Sequence, residues 1–216
     1  MAYTKKTATE IIEAFELQVN DVTELSTAEE LIILDRVYQR ICASRYWEFL
    51  RTVGSGTMSS DATSYYITIP DDFSFFAENA QYTDNTMEYN GNATPKVIFV
   101  GSTYEPVQIV NMSDRRQYQN TCVAYVDWVN NKIRFTTTPS STTYEFDYIK
   151  KPAVLTANDY PVLPGQFHDM LAIAMAVEND ILQLSEKARS YQRENEAKLK
   201  SDMDNLIYWN AQQRFN

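Results

Sequence analysis

Thr142-Thr143-Tyr144-Glu145-Phe146-Asp147-Tyr148-Ile149-Lys150 is the stretch of sequence that decides the fold. Every second residue from Tyr144 to Tyr148 is aromatic, and the residues between them are polar. Successive side chains of a β-strand point to opposite faces of the sheet. The stretch is therefore predicted to be a strand with one buried aromatic face.

The chain before this strand has the same character. Its β-branched and aromatic runs are short and separated by turn residues, which is typical of strands. Asn130-Asn131 can supply the left-handed backbone that a hairpin turn needs, whereas Gly54 to Ser60 predicts a polar linker. We expect residues 53–150 to form a small antiparallel β-sandwich or barrel of roughly four to seven strands. The remaining candidate strands are Tyr65–Ile69, Lys96–Val100, Val107–Val110, Cys122–Trp128 and Ile133–Thr137.

Helical patterns lie on both sides of this β region. Apolar residues recur at helical spacing in residues 8–20, and Ser26 with Glu29 forms a capping box for a helix that runs to about Leu50. Residues 167–182 carry a further apolar stripe, and a more polar helix follows. The predicted fold class is therefore α+β. Residues 1–52 and 151–216 form a four-helix bundle from two helical hairpins, and residues 53–150 form the inserted β domain.

Charge and composition restrict the partners. The net charge is −10, and acidic residues outnumber basic ones in each of the three segments. Duplex DNA binding needs clustered Lys and Arg, so a tight DNA groove is a poor fit. Acidity favours solubility, and it also suits a channel through which DNA slides. Cys42 and Cys122 are expected to be inert thiols in a reducing cytoplasm.

No membrane span or secretory signal is expected. Residues 1–15 lack the apolar core of a signal peptide. The longest apolar run, Met170 to Val177, is far too short to cross a bilayer. A soluble protein made inside a cell is the resulting expectation.

A search for catalytic residues finds little. His168 is the single histidine, and no Gly-x-Ser-x-Gly motif presents a nucleophile to it. Asp71-Asp72 reads as a turn after a strand, because no third carboxylate joins the pair at a useful spacing. Arg115-Arg116 beside Tyr118 could clamp phosphate, but a helical turn packed on the β domain is favoured. We predict no enzyme activity, no metal and no cofactor.

The aromatic residues are the least ordinary feature of the composition. The chain has 15 tyrosines, and a polar C-terminal helix ends near Tyr208, Trp209 and Phe215. Tyrosine and tryptophan are enriched at protein interfaces because they bury a large area at a low entropic cost. This end of the chain is predicted to dock on a partner.

The order of these elements resembles the head-to-tail adaptor proteins of tailed phages, including the podophage tail tubular protein A type. The segments that carry the resemblance extend over nearly the whole chain. They are Arg45-Tyr46-Trp47 with Phe49-Leu50, Ile67 to Phe73, Arg115 to Tyr118, the hairpin Tyr125–Thr137 with Pro139, Tyr144 to Pro152, Tyr160 to His168, the alanines 172, 174 and 176, and Glu194 to Leu199.

This resemblance implies a structural virion protein of the neck between capsid and tail. Such adaptors form a homo-oligomeric ring, usually twelvefold, beneath the portal protein, and genomic DNA passes through the ring. Their C-terminal segment docks on the portal, and their β part contacts the next neck or tail protein, a nozzle or tail tube. The candidate portal-docking residues in this sequence are Leu199, Met203, Leu206, Tyr208, Trp209 and Phe215.

Two other functions stay open at this stage. One is a tail or baseplate accessory module, which the β domain and the acidic surface permit. The other is a small metal-dependent hydrolase, which would need His168 or the pair Asp71-Asp72.

Overall fold

The structure is a computed structural model of the whole chain and describes residues 4–19, 25–77, 96–118, 120–183 and 186–213. The chain divides into two compact units. Residues 1–50 with 151–216 form one, called the helical unit below, and residues 51–150 form the other, called the barrel unit.

The described part of the helical unit contains four α-helices. They are α1 (Ala8–Val19), α2 (Thr27–Ala43), α3 (His168–Gln183) and α4 (Glu186–Gln213), with short 3-10 turns at Glu48–Leu50 and Gly165–Phe167. The predicted capping box of α2 is confirmed. The Glu29 carboxylate accepts the Ser26 backbone N–H at 2.8 Å, and the Ser26 hydroxyl accepts the Glu29 N–H. These bonds satisfy backbone groups that a helix start leaves unpaired.

Helix α2 is shorter than the sequence predicts. It ends at Ala43 rather than near Leu50, because two side chains donate hydrogen bonds to the carbonyl oxygen of Ile41. The Ser44 hydroxyl donates to it at 2.7 Å and the Trp47 indole at 2.9 Å. The helix ends there, and the Trp47 ring is fully buried.

The predicted four-helix bundle is wrong. Helix α3 is central, and α1, α2 and α4 each pack against it. Its small alanines let neighbouring helices approach closely, and Met170, Leu171 and Met175 are buried. Helix α4 buries little by comparison: among its side chains that the structure describes, Asn195, Leu206 and Asn210 are buried. Every helix of a bundle contributes an apolar stripe to the common core, and α4 is too polar to do so.

The barrel unit is a mixed sheet of nine strands within the described residues. They are β1 (Arg51–Thr57), β2 (Ser59–Ser60), β3 (Tyr65–Thr68), β4 (Phe73–Phe76), β5 (Val97–Val100), β6 (Glu105–Val110), β7 (Ala124–Asp127), β8 (Lys132–Phe135) and β9 (Thr143–Lys150).

Strand β9 is the organising strand of this sheet. Strand β1 pairs along one edge of it, and β5 and β4 pair with successive parts of the strand on the other edge. The strand order is β1-β9-β5-β6-β7-β8-β3-β2. Only Met58 separates β1 from β2 in the chain, and these strands are the two ends of that order. One stretch of chain therefore joins both ends of the sheet and nearly closes it into a barrel.

The predicted small antiparallel module is also wrong. The unit has more strands than expected, and β6 and β7 run parallel, with Ile109 opposite Ala124. Local sequence patterns indicate strands and hairpins, but they carry no information on pairings between strands far apart in the chain. The buried residues inside the sheet form one cluster: Met58, Ile67, Ile69, Phe73, Phe76, Ile98, Val100, Val107, Ala124, Ile133, Phe135, Phe146 and Tyr148.

The predicted linker at Gly54 to Ser60 is instead part of the sheet. Gly54 lies opposite Phe146 and Gly56 opposite Tyr144. A Cβ atom on Gly54 would lie 2.9 Å from Cζ of Phe146, which is closer than atoms can pack. The aromatic rings of β9 cover the backbone of β1, and only glycine leaves room for them. The same residues that suggest a linker therefore fit this sheet.

The β7–β8 hairpin is confirmed, with residues 128–131 as its loop. Of the predicted pair, Asn131 has the left-handed backbone, with φ 52°. Asn130 instead donates its side-chain amide to Asp127 at 2.7 Å. One asparagine thus provides the turn and the other holds the end of β7.

Candidate docking surface

Helix α4 carries most of the predicted docking residues. Few of its apolar side chains are buried, so polar contacts to other parts of the helical unit hold it in place. The Asn210 carboxamide accepts the Glu48 backbone N–H at 2.7 Å and donates to the Tyr46 carbonyl at 2.9 Å. Asn195 accepts a hydrogen bond from Gln18 of α1 at 3.0 Å. Buried amides with such partners fix the position of a helix because leaving them unpaired is costly.

The six predicted docking residues differ in their exposure. Leu206 is fully buried and belongs to the core of the helical unit. Leu199 and Met203 are half-buried. Tyr208 is 68% exposed, whereas Trp209 is half-buried and meets Phe167 edge to face with 6.2 Å between ring centroids. Phe215 lies outside the described residues.

A cleft of about 420 Å³ lies between the start of α3 and the C-terminal half of α4. We call it the α3–α4 cleft. Its lining is mixed, with aromatic rings and carboxylates side by side. The lining residues are Gln166, Phe167, Asp169, Met170, Asp202, Asn205, Tyr208, Trp209 and Gln212. The two aromatic residues near the end of α4 therefore face a shared concave site.

The two carboxylates of this cleft have different surroundings. Asp169 is in the first turn of α3, where the helix dipole favours an anion, and it bonds Nζ of Lys6 at 2.5 Å. Asp202 has no hydrogen-bond or ion-pair partner among the residues that the structure describes. Partial burial raises the pKa of the Asp202 carboxyl, and the nearby Asp169 charge raises it further. Within the described part of the chain, Asp202 thus carries a charge that no basic side chain pairs with.

His168 has a structural role at the junction before α3. Its ring is fully buried, and Nε2 lies 2.8 Å from the Leu163 carbonyl oxygen. Nδ1 accepts the Lys6 backbone N–H at 2.9 Å. One neutral tautomer, with the proton on Nε2, satisfies both contacts. His168 is therefore a buried packing residue of the helical unit.

The metal-dependent hydrolase would need the pair Asp71-Asp72, and Asp72 is engaged in the fold. The Asp72 carboxylate accepts a hydrogen bond from the Tyr148 hydroxyl at 2.8 Å, which links the turn after β3 to β9. Asp71 is exposed. Both belong to the barrel unit, whereas His168 belongs to the helical unit. Among the described residues, no cluster of three or more His, Cys, Asp or Glu side chains could hold a metal ion.

The Arg115-Arg116 segment forms the predicted helical turn, Asp114–Tyr118. The Arg115 guanidinium donates to the Met112 carbonyl and lies 5.3 Å from the centroid of the Tyr125 ring. This stacking holds the turn against β7.

The barrel unit has an exposed apolar surface at the tip of the β7–β8 hairpin. Trp128 is 65% exposed and Val129 is 92% exposed. Trp128 also lines a groove of about 300 Å³ together with Phe75 and Met112, both partly exposed. We call these four residues the hairpin surface. An exposed patch of this kind is typical of a protein–protein contact.

The sequence matches the family model of the SU10 adaptor protein over residues 6–214. This match defines the class of the protein, a structural adaptor that joins the head and tail of a phage. The chain belongs to the SU10 adaptor protein family. No curated protein sequence matches it.

Family membership confirms the resemblance to phage head-to-tail adaptors and indicates a component of the virion that interacts with other virion proteins. The podophage type stays a prediction. None of the described helices combines the length and the apolarity needed to cross a membrane.

Sequence reasoning missed Asp202, Asn195 and Asn210. Each is a single polar residue on a polar helix, and nothing in its neighbours along the chain distinguishes it from a solvated residue. Their roles come from residues on other elements, so no local pattern could have found them.

Proposed function

We propose that this adaptor assembles as a ring beneath the portal protein and joins the portal to the next neck or tail protein. From the family resemblance we expect a twelvefold ring. Genomic DNA would pass through its channel without sequence-specific binding. Ring closure requires a heterologous contact that repeats by rotation.

The exposed Tyr208 beside the α3–α4 cleft is the observation that carries the proposal. It lies on a helix whose neighbouring residues, Leu206 and Asn210, are buried, so the backbone beneath it is held firmly. An aromatic side chain on a rigid element is a good interface anchor, because little conformational freedom remains to be lost on binding. The segment Leu199 to Phe215 is the proposed portal-docking surface.

The hairpin surface is the proposed contact for the tail-side protein. It is apolar and belongs to the barrel unit, whereas the portal-docking surface belongs to the helical unit. Separate contact surfaces for two partners are what a connector requires. A tail or baseplate accessory module would also use the hairpin surface, but it would have no need for portal docking.

The net charge of −10 supports the proposed passage of DNA. Like charges repel, so an acidic wall does not hold the phosphate backbone, whereas clustered basic residues would.

The test mixes the purified chain with the portal ring of the same phage and determines the mass of the product by light scattering. A truncation after Lys198 would be a poor variant, because it removes the buried Leu206 and Asn210 and so destabilises the helical unit. Tyr208→Ala is the sharper variant. Tyr160→Ala is the matched control, since Tyr160 is an exposed tyrosine of the same unit and is 54% exposed.

We expect a discrete complex with about twelve adaptor copies for the wild type and for Tyr160→Ala. Tyr208→Ala should bind at least about tenfold more weakly, the loss typical of an aromatic hot spot. A complex with another number of copies would correct the twelvefold expectation. No complex at any salt concentration would overturn the proposal in favour of the accessory module.

A further inference from the structure

The α3–α4 cleft is lined by both aromatic and acidic side chains. Its walls include the aromatic rings of Phe167, Tyr208 and Trp209, and its lining includes the carboxylates of Asp169 and Asp202. Aromatic faces attract cations through their quadrupole, and carboxylates attract them by charge. The chemistry of the cleft is therefore complementary to a cation with a flat, partly apolar surface.

Within the described residues, only one of the two carboxylates of the cleft has an ion-pair partner. Lys6 bonds Asp169, but no basic side chain of the described residues bonds Asp202. Asp202 is partly buried, and the nearby exposed Asp169 repels its charge. A cation bound at Asp202 would offset both effects.

An arginine guanidinium fits these features better than a lysine ammonium. It is planar, it can form two parallel hydrogen bonds with one carboxylate, and it stacks on aromatic rings. A cleft of about 420 Å³ has room for such a side chain and part of the segment that carries it.

We propose that the α3–α4 cleft receives an arginine side chain of the portal protein, with Asp202 as its carboxylate partner and the rings of Tyr208 and Trp209 against its flat face. This inference rests on the proposed function, because it assigns the partner of the same docking surface.

Several arginines of this chain already form ion pairs within the fold, which favours another protein as the source of the arginine side chain. Arg36 and Arg40 pair with Glu178, and Arg51 pairs with Asp147. Arg134 is bonded to both Asp61 and Asp127. These arginines are thus already engaged within the fold. The portal is the proposed source because the cleft belongs to the proposed portal-docking surface.

The experiment compares the affinity of three full-length chains for the portal ring, at low and at high salt. They are the wild type, Asp202→Asn and Asp204→Asn. Asparagine keeps the shape of the side chain and removes its charge. Asp204 is the matched control, because it is an exposed aspartate on α4 that does not line the cleft.

We expect Asp202→Asn to weaken portal binding about tenfold at low salt and to reduce its salt dependence, as the loss of one interfacial ion pair should. Asp204→Asn should change affinity by less than about twofold. Thermal unfolding separates binding from folding. Removing a repelled charge should leave the melting temperature of Asp202→Asn at neutral pH equal to or above that of the wild type.

The outcomes distinguish this inference from the proposed function. If the wild type binds the portal and both variants bind equally well, the cleft assignment is wrong and the adaptor proposal stands. If the wild type does not bind the portal, both proposals fail. Self-association that Asp202→Asn abolishes would make the cleft a contact between copies and would overturn the portal assignment.

Discussion

The barrel interior and the C-terminal half of α4 use the same kinds of residue in opposite ways. In the barrel, the Tyr148 ring packs against the rings of Phe73 and Phe146, each with 5.6 Å between ring centroids. On α4, Tyr208 is largely exposed. The barrel uses aromatic residues to build a core, whereas α4 presents one at the surface.

The acidic residues show the same contrast. In the barrel unit, hydrogen bonds from Asn130 and Arg134 lower the pKa of the Asp127 carboxyl. On α4, burial and the Asp169 charge raise the pKa of Asp202. A carboxylate with hydrogen-bond or ion-pair partners stabilises the fold, whereas a carboxylate without them is available to a binding partner. This difference supports the proposal that α4 contacts a partner.

The largest expected effect concerns the aromatic core. Phe146→Ala should lower the free energy of unfolding by about 3–5 kcal/mol, because it opens a cavity under β1 and removes the stack on β9. Tyr208→Ala should change it by less than about 0.5 kcal/mol, since an exposed side chain loses little. Urea unfolding of both variants measures the difference. Equal decreases in the free energy of unfolding of the two variants would contradict the contrast between the two regions.

A somewhat smaller effect is expected at the base of α3. His168→Phe fills a similar space but leaves the Leu163 carbonyl and the Lys6 N–H without partners. The free energy of unfolding should fall by about 2–4 kcal/mol, because each buried unpaired group costs about 1–3 kcal/mol. The exposed α1 variant Glu13→Ala is the control in the same urea titration. A His168→Phe protein as stable as the control would show that these contacts are dispensable.

The smallest effect tests the fit between β1 and β9. Gly54→Ala should destabilise the barrel by about 1–3 kcal/mol, because the new methyl group meets the Phe146 ring. Gly56→Ala should cost less, since its nearest neighbour is the Tyr144 hydroxyl at 3.2 Å, the end of a half-buried side chain. Thermal unfolding ranks the two variants. If Gly56→Ala were the less stable variant, the Phe146 ring would move aside more easily than the structure indicates.

Several elements were predictable because their signals are local. The capping box at Ser26 and Glu29 involves contacts three residues apart, and the alternation in β9 depends only on the pleat of the strand. The helical turn at Arg115 and the hairpin around Asn131 follow in the same way from neighbouring residues. The adaptor resemblance depended on the order of such elements, and the family match confirmed it.

Most of the incorrect predictions concern contacts between distant parts of the chain, although the early end of α2 depends on the nearby Ser44 and Trp47. Gly54 and Gly56 indicate a linker until the aromatic rings of β9 are placed over them. The polarity of α4 was visible in the sequence, but its consequence, that α3 becomes the central helix, depends on how the helices pack.

The sequence by itself determined where most of the helices and several of the strands form, because hydrophobic period, capping and turn residues act within a few positions of one another. Only the tertiary structure decided that the strands nearly close into a barrel, that β6 and β7 run parallel, and that Asp202 lies beside Asp169 in an aromatic cleft. These features depend on which surfaces meet after the chain folds. Long-range packing selects among pairings that the local pattern permits equally.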